Sequence, residues 1–310
     1  MGKKPIIEEA PSLPFGRVGY VALLGRPNVG KSTLMNTVLD FHLAAVSSKP
    51  QTTRRSCLGI LSDEASQILF LDVPGVHVPQ DELDAAMDRS IQRALDDADL
   101  ILCMADASRT FGKEDRLVAQ RAAGAKKPVI LAVNKVDAAG PGGVDAIQEA
   151  YLKILGDVPV YRICAKGIQT LDMLLMALRQ GLPEGQFIHD PEMVSDVYVR
   201  EIASELIREA FMECLHEEVP HAMAVTIDEW KEADKSVRIT ATLHVERDSQ
   251  KGIVIGKGGT MLNAIRAQAV RKLQEIRDDT IRLKLYVRVT TDWRSRKNLL
   301  RDFGLDRAGN

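Results

Sequence analysis

Two short motifs near the start of the chain carry residue types suited to binding the phosphates of a nucleotide. The first, GRPNVGKS, combines two glycines, around which backbone can wrap closely on phosphate, with a lysine and a serine hydroxyl for Mg²⁺. The second, DVPG, offers the Asp72 carboxylate to Mg²⁺ and the Gly75 N–H to a γ-phosphate. Together they predict a nucleoside triphosphate site whose contacts are Gly25, Gly30, Lys31, Ser32, Thr33, Asp72 and Gly75.

A third motif, NKVD, indicates which base the nucleotide carries. The Asp137 carboxylate can accept two hydrogen bonds from guanine, whereas adenine lacks that pair of donors. A site built around such a pair rejects adenine, because the carboxylate would be left unpaired. Lys135 can cover the face of the base with its aliphatic stem. We expect Asn134 to tie this loop to the first motif.

Two further segments complete the set. In CAK, from Cys164 to Lys166, the Ala165 N–H can meet guanine O6 and Lys166 can cover the ring. Between the first two motifs lies SSKPQTTRR, where either Thr52 or Thr53 can place a hydroxyl on Mg²⁺ when a γ-phosphate is present. Such a segment is ordered by the triphosphate and released on hydrolysis. A flexible loop rich in Ser and Thr is the alternative interpretation.

The residue after DVPG raises the question of how water would be activated. Many nucleotide switches carry a glutamine there to orient the attacking water. This chain has Val76, whose side chain forms no hydrogen bond. Either the chain does not hydrolyse its nucleotide or another group holds the water. His77 is a candidate general base, although we expect its place beside the motif to be incidental.

The composition indicates a globular protein of about two domains. The chain has 310 residues, 45% of them hydrophobic, and a domain takes roughly 100–200 residues. The four cysteines form no CxxC pair, which favours free thiols in a reducing compartment. The start lacks the apolar segment of a signal peptide, and no run reaches the ~18 apolar residues of a membrane span. We therefore expect a cytoplasmic protein.

The motifs of the first half follow runs that have the character of buried strands. Such runs lie at 17–24, 56–60, 67–71, 100–105, 128–133 and 158–163. Helical patterns separate them, at 83–97, 113–123, 143–155 and 167–178. This alternation predicts a mostly parallel sheet covered on both faces, with ligands at the carboxyl ends of the strands. We predict an N-terminal tail at 1–14 and an α/β P-loop GTPase domain with a mostly parallel sheet at 15–181.

A second glycine motif lies beyond a Pro- and Gly-marked linker predicted at 182–195. Residues 196–310 show the order α-β-β-α-α-β with GKGG between two helices, which predicts an α+β type II KH domain. A GxxG loop clamps about four nucleotides of RNA. The stretch from Arg247 to Arg301 has 14 Lys and Arg against 5 Asp and Glu, a net charge of +9 that suits RNA. The predicted RNA contacts are Lys251, Ile253, Ile255, Gly256, Lys257, Gly258, Gly259 and Arg266.

The motif set GRPNVGKST, PQTTR, DVPGVH, NKVD and CAK, followed by a KH domain, resembles the bacterial Era family over nearly the whole chain. The resemblance implies a slow GTPase that binds GTP and GDP. It further implies a monomer that binds the 3′ end of 16S rRNA and serves assembly of the 30S, or small, ribosomal subunit.

The same resemblance implies roles for particular residues. It favours Thr53 over Thr52 as the Mg²⁺ ligand beside Ser32 and Asp72. It adds Asn28 to the nucleotide contacts and implies that K⁺, held by Asn28, and backbone groups replace the missing glutamine. Relatives usually carry Ser where this chain has Cys164, so any role of that hydroxyl is absent here, while the Ala165 N–H is retained. The implied catalytic residues are Lys31, Thr53, Asp72 and Gly75.

Two other functions stay open on the sequence. A membrane-associated or cell-cycle GTPase switch would bring the basic end to anionic lipid at the inner membrane, yet no basic amphipathic helix with bulky aromatics stands out. A tRNA-modifying GTPase would be expected to carry catalytic cysteines or a folate site where the KH-like end lies. Near the end of the chain, Trp293 and the cations after it either extend the RNA-binding face or form a solvated tail.

Overall fold

Two sheets organise the residues that the computed structural model describes, which are 13–47, 49, 53–215 and 223–306. The strands of the first sheet are β1 (Phe15–Gly25), β2 (Cys57–Ser62), β3 (Ser66–Asp72), β4 (Leu100–Asp106), β5 (Val129–Asn134), β6 (Val160–Arg162) and β7 (Glu184–Gln186). The helices around it are α1 (Lys31–Leu39), α2 (Glu82–Asp97), α3 (Lys113–Gly124), α4 (Gly143–Leu155) and α5 (Asp172–Gly181).

The first sheet is mostly parallel, as predicted. Its order is β2-β3-β1-β4-β5-β6, and β2 and β7 are the antiparallel members. Strand β4 is buried along its whole length, because apolar clusters fill the space between the sheet and the helices on both faces. The register places Leu23 beside Asp72 and Asp106 beside Asn134. The residues that end these strands therefore share one edge of the sheet.

The segment predicted as a linker packs against this sheet. Strand β7 pairs antiparallel with the start of β1, so that Gln186 lies beside Phe15. The following Phe187 is buried, and the Ile60 N–H donates to the Val194 carbonyl at 2.8 Å. The segment was predicted as a linker because it has too few apolar residues to show a strand pattern.

The second sheet has the element order predicted for a type II KH domain. Its strands are β8 (Ala224–Ala233), β9 (Ser236–Val245) and β10 (Thr280–Val289), with β9 central, parallel to β10 and antiparallel to β8. Its helices are α6 (Val199–Cys214), α7 (Asp248–Ile255) and α8 (Thr260–Ile276), and α9 (Lys297–Asp302) follows. The prediction started the first strand of this sheet at 221, and residues 221 and 222 lie outside the described part.

The C-terminal segment docks the second domain on the first. Trp293 is fully buried in a cluster with Leu83 and Met87 of α2 and with Phe303. Beside it, Arg294 forms an ion pair of 2.6 Å with Asp81, the N-cap residue of α2. Trp293 is therefore part of neither an RNA-binding face nor a solvated tail, because it is core between the domains, whereas Arg296 and Lys297 after it are exposed.

Candidate functional site

A cavity of about 430 Å³ lies at the carboxyl edge of the first sheet. All the predicted nucleotide contacts line it except Gly25 and Asp72, and Asp72 is hydrogen-bonded to Ser32, which does. The walls also include residues that the sequence interpretation missed, namely Pro27, Ala45, Val46, Ser47, Arg109 and Ala138. Pro27 and Ser47 lie inside quoted motifs but were given no role, and the other four lie outside the motifs and reach the cavity through the fold.

The P-loop between β1 and α1 has the backbone conformation that its glycines allow. Gly30 has a φ of 109°, and a Cβ there would lie 2.3 Å from the amide nitrogen of Asn134. Lys31 is buried, and its ammonium donates to the carbonyls of Gly25 and Arg26 at 3.3 and 3.4 Å. Burial lowers the pKa of Lys31 to about 8, although Asp72 opposes the shift. The ammonium is therefore held beneath the loop by two of its carbonyls.

Three oxygens converge at the start of α1. The Ser32 hydroxyl donates to Asp72 Oδ2 at 2.7 Å and lies 2.9 Å from the Thr53 hydroxyl. The other carboxylate oxygen of Asp72 is buried and has no hydrogen-bond partner among the described residues. Burial raises the pKa of Asp72, and Lys31 and Ser32 oppose that shift. Thr52, the alternative to Thr53, lies outside the described residues.

Asn134 joins three loops, of which the sequence led us to expect only the connection to the P-loop. Its amide nitrogen donates to the Val29 carbonyl at 2.7 Å, and its amide oxygen accepts the Ala165 N–H at 2.9 Å. The Ala165 N–H, expected to meet guanine O6, is therefore engaged by Asn134. Lys135 donates to the Asn28 carbonyl at 2.7 Å and pairs with Asp106 at 2.8 Å.

Two supporting residues of this edge were missed by the sequence interpretation. Asp106, at the end of β4, also accepts from Arg26 at 3.3 Å, and the hydrogen bond from Lys135 lowers the pKa of its carboxyl against the effect of burial. Thr170 closes the loop of the CAK motif, since its hydroxyl is within 3.0 Å of both the N–H and the carbonyl of Cys164. Cys164 and Lys166 line the cavity on either side of Ala165.

Val76 does not face the cavity. Its side chain is fully buried in the apolar cluster that contains Leu24 and Val73, and its N–H donates to the Gly25 carbonyl at 3.0 Å. His77 is held by Gly75 and Asp84, at 2.9 and 3.1 Å, and the bond to Asp84 raises the pKa of the imidazole. The motif therefore offers neither side chain as a base for water.

The loop between α1 and β2 connects the cavity to the second domain. Directly after Thr53, the Arg54 guanidinium is buried and donates to the Met223 carbonyl at 2.5 Å. Burial, with the nearby Arg208 and Arg294, lowers the pKa of Arg54 to about 9. Arg55 donates to a backbone carbonyl after α9, and Lys49 donates to two carbonyls at the end of α6.

The GxxG loop lies between α7 and α8. Gly256, Gly258 and Gly259 all have positive φ, of 72°, 62° and 80°. A Cβ at Gly256 would lie 2.8 Å from Met261, whereas the position of Gly258 is open. Lys257 at the tip is exposed, and Ile253 is 51% exposed although Val254 beside it is buried. Of the remaining predicted RNA contacts, Arg266 is exposed and Lys251, Ile255 and Gly259 are half-buried.

The cavity and the glycine loop define a class of protein, a P-loop GTPase joined to a KH domain. Residues 20–135 match the family described as 50S ribosome-binding GTPase, and residues 218–294 match the KH domain family. GTPase Era of Lacticaseibacillus paracasei is 40% identical over 92% of this chain and 96% of its own. GTPase Era of Staphylococcus haemolyticus is 37% identical over the same shares. The chain belongs to the Era family of GTPases.

Two solved Era structures have the same fold as this chain. A variant of Aquifex aeolicus Era bound to GDP·AlF4⁻ is 35% identical and superposes with a TM-score of 0.88. Era in complex with MgGDPNP and nucleotides 1506–1542 of 16S ribosomal RNA is 36% identical, with a TM-score of 0.89. Each match covers 94% of this chain and 100% of the other. The predicted fold class, a P-loop GTPase domain followed by a KH domain, is confirmed.

We predict that Asn134→Ala lowers the free energy of unfolding by about 2–4 kcal/mol. The change orphans the Val29 carbonyl and the Ala165 N–H, and an unsatisfied buried group costs about 1–3 kcal/mol. Urea unfolding followed by circular dichroism measures the loss. Asn298→Ala, at an exposed position of α9, is the matched control and should change stability little. Equal stability of the two variants would contradict the role given to Asn134.

Proposed function

We propose that this GTPase binds the 3′ end of 16S rRNA through its KH domain and serves assembly of the small ribosomal subunit. In this proposal bound GTP controls the affinity of the KH domain for RNA. The observation that carries it is the loop in which Thr53 lies at the cavity while Arg54 is buried against the second domain. The Era structure with MgGDPNP and 16S rRNA nucleotides supports the choice of RNA.

In this proposal GTP lies with its phosphates against the P-loop. The loop N–H groups and the N-terminus of α1 face the negative charge. Lys31, with a pKa of about 8, is largely protonated at neutral pH and reaches the β- and γ-phosphates. Asp137 lines the same cavity and accepts the two guanine hydrogen bonds, while Lys135 and Lys166 cover the ring.

Magnesium fits the cluster of Ser32, Thr53 and Asp72. The three residues present hydroxyl and carboxylate oxygens, the ligand types that Mg²⁺ prefers. The buried Asp72 oxygen that lacks a partner among the described residues is suited to such an ion. Bound Mg²⁺ neutralises the charge on the phosphate oxygens during transfer. Ser32 holds both Thr53 and Asp72 within 2.9 Å, which keeps the ligand set together.

Nucleotide state reaches the RNA-binding domain through the loop of Thr53. Hydrolysis removes the γ-phosphate, and a loop ordered by that phosphate is then released. Because Lys49, Arg54 and Arg55 of this loop donate to carbonyls of the second domain, release of Thr53 changes how that domain is held.

We further propose a cytoplasmic monomer. Among the described residues, no helix is long and apolar enough to cross a bilayer. The alternative is a membrane-associated or cell-cycle switch whose basic end contacts the inner membrane. RNA is favoured because the exposed GxxG loop, with three glycines of positive φ, is suited to a nucleic-acid backbone rather than to lipid.

We expect Asp137→Asn to lower GTP affinity roughly hundredfold and to improve binding of xanthosine triphosphate. The amide cannot accept both guanine N–H groups, whereas it can donate to the xanthine carbonyl. Titration with fluorescent nucleotide analogues measures both affinities. Asp145→Asn makes the same chemical change in a surface ion pair and should leave both unchanged. Unaltered preference for GTP in Asp137→Asn would refute the assignment of the base reader.

Wild-type protein should bind nucleotides 1506–1542 of 16S rRNA more tightly with a non-hydrolysable GTP analogue than with GDP. Gly258→Asp should abolish RNA binding in both states and retain GTP binding, because the new carboxylate repels phosphate at an open position of the loop. Filter binding measures the RNA and nucleotide affinities. Gly142→Asp is the control, because it places the same carboxylate at an open position of positive φ, 71° against 62° for Gly258, but in the first domain. Equal affinities with the two nucleotides would remove the switch from the proposal.

The intrinsic GTPase rate should be slow and severalfold higher in K⁺ than in Na⁺. Because Val76 and His77 are held away from the cavity, we propose that K⁺ beside Asn28 supplies the missing stabilisation at the phosphates. Asn28→Gly removes the side chain and suits the φ of 61°, so it should abolish the advantage of K⁺ without unfolding the loop. Single-turnover rates of GTP hydrolysis, measured in K⁺ and in Na⁺, test this prediction. Equal rates of the wild type in the two salts would exclude a role of K⁺ in hydrolysis.

A further inference from the structure

The face of the second sheet that lies opposite α6, α7 and α8 has two halves. One half is covered by the C-terminal segment and the other is exposed to solvent. Along β9 and β10, alternate residues such as Ile239 and Leu283 pack on α6, α7 and α8. The residues between them point to the opposite face. One half of that face is covered, since His244 lies 4.5 Å from the Phe303 ring and Ala224 packs with Trp293.

The uncovered half is cationic. Arg282, Lys284 and Arg288 alternate along β10 and are exposed, and Arg238 lies beside Arg282 on β9. Within the described part of the chain, none of these four side chains has a carboxylate within ion-pairing distance. Alternate residues of a strand are about 7 Å apart, so the β10 row extends over about 20 Å. Like charges on adjacent strands are unfavourable for folding, which suggests a ligand.

One aromatic side chain interrupts this row. Tyr286 lies between Lys284 and Arg288 and is 52% exposed. The acidic residues of this face are on β8 and are engaged, Asp228 with Thr226 and Thr242 and Glu229 with Lys231. A row of unpaired cations around an exposed ring is the combination that binds single-stranded nucleic acid, by phosphate contacts and base stacking.

We propose that the surface formed by Arg238, Arg282, Lys284, Tyr286 and Arg288, here called the open-face row, is a second RNA-binding surface. It binds a single-stranded RNA segment that flanks the segment bound by the GxxG loop, and one base of that segment stacks on Tyr286. The helices α7 and α8 that carry the GxxG loop pack on the opposite face of the sheet, so the two surfaces are separate. The inference rests on the proposed RNA-binding function and adds a site to it.

The test compares the full-length protein with Arg282→Gln/Lys284→Gln/Arg288→Gln. The control, Lys113→Gln/Lys126→Gln/Lys153→Gln, removes the same charge from exposed positions of the first domain. The probes are nucleotides 1506–1542 of 16S rRNA and a six-nucleotide RNA from its 3′ end. The open-face variant should bind the long RNA about tenfold or more weakly, with a slope of log K against log salt smaller by roughly 2. It should bind the short RNA like the wild type.

Tyr286 gives an independent measurement that involves no change of charge. Tyr286→Leu should weaken binding of the long RNA about tenfold, and Tyr286→Phe should retain it, because stacking needs the ring and not the hydroxyl. The proposal would be overturned if the triple variant bound the long RNA with the affinity and salt slope of the wild type. It would also be overturned if the control variant lost as much affinity for the long RNA as the triple variant. Loss of binding to phosphatidylserine vesicles with RNA binding intact would assign the surface to lipid instead.

The outcome for the wild type separates this inference from the function on which it rests. If the wild type binds neither RNA, the proposed function fails, and the second surface fails with it. If the wild type binds both and Gly258→Asp binds neither while the open-face variant binds normally, the function stands and the second surface does not.

Discussion

One buried amide holds the nucleotide cavity together. Asn134, at the end of β5, donates to the P-loop and accepts from the loop after β6, so a single side chain fixes loops that are far apart in sequence. An amide is required because one partner is a carbonyl and the other an N–H. An aspartate could not donate, and an apolar residue would leave both backbone groups unpaired. Lys135 adds a second connection to the same P-loop through the Asn28 carbonyl.

The parts of this architecture that the sequence predicts are those with local signals. Apolar runs of strand length, glycines in the P-loop and the NKVD motif each lie within a few residues, and their order along the chain places them on one sheet edge. Asp106 and strand β7 escaped prediction because their roles depend on partners distant in sequence. Thr170 bonds the nearby Cys164, but a lone threonine after the CAK motif carries no pattern that marks such a bond. Trp293 was misinterpreted because its burial is likewise provided by a distant partner, α2 of the other domain.

The junction between the domains depends on a buried cation. Removing an arginine from water is unfavourable unless its donors find acceptors, and Arg54 finds the Met223 carbonyl and lies 5.8 Å from the Trp293 ring. Burial, with the nearby Arg208 and Arg294, lowers the pKa of Arg54, which is the direction expected for a cation removed from water. An interaction of that kind is sensitive to small displacements, because a shifted guanidinium leaves a buried charge unpaired. Arg54 follows Thr53 directly, so the chain that carries a cavity hydroxyl also carries the buried cation of the domain junction.

The valine that replaces the expected glutamine has a structural role of its own. Val76 anchors the DVPG motif in the core, and its N–H binds the P-loop carbonyl of Gly25. Gly75 packs so closely on Pro27 that a Cβ would lie 2.4 Å from the proline nitrogen. The two phosphate-binding loops are thus joined by backbone contacts and burial. A glutamine side chain at 76 would start from the core and not from the cavity, and a buried amide without partners is costly. The side chain of residue 76 is therefore not placed to orient a water in the cavity.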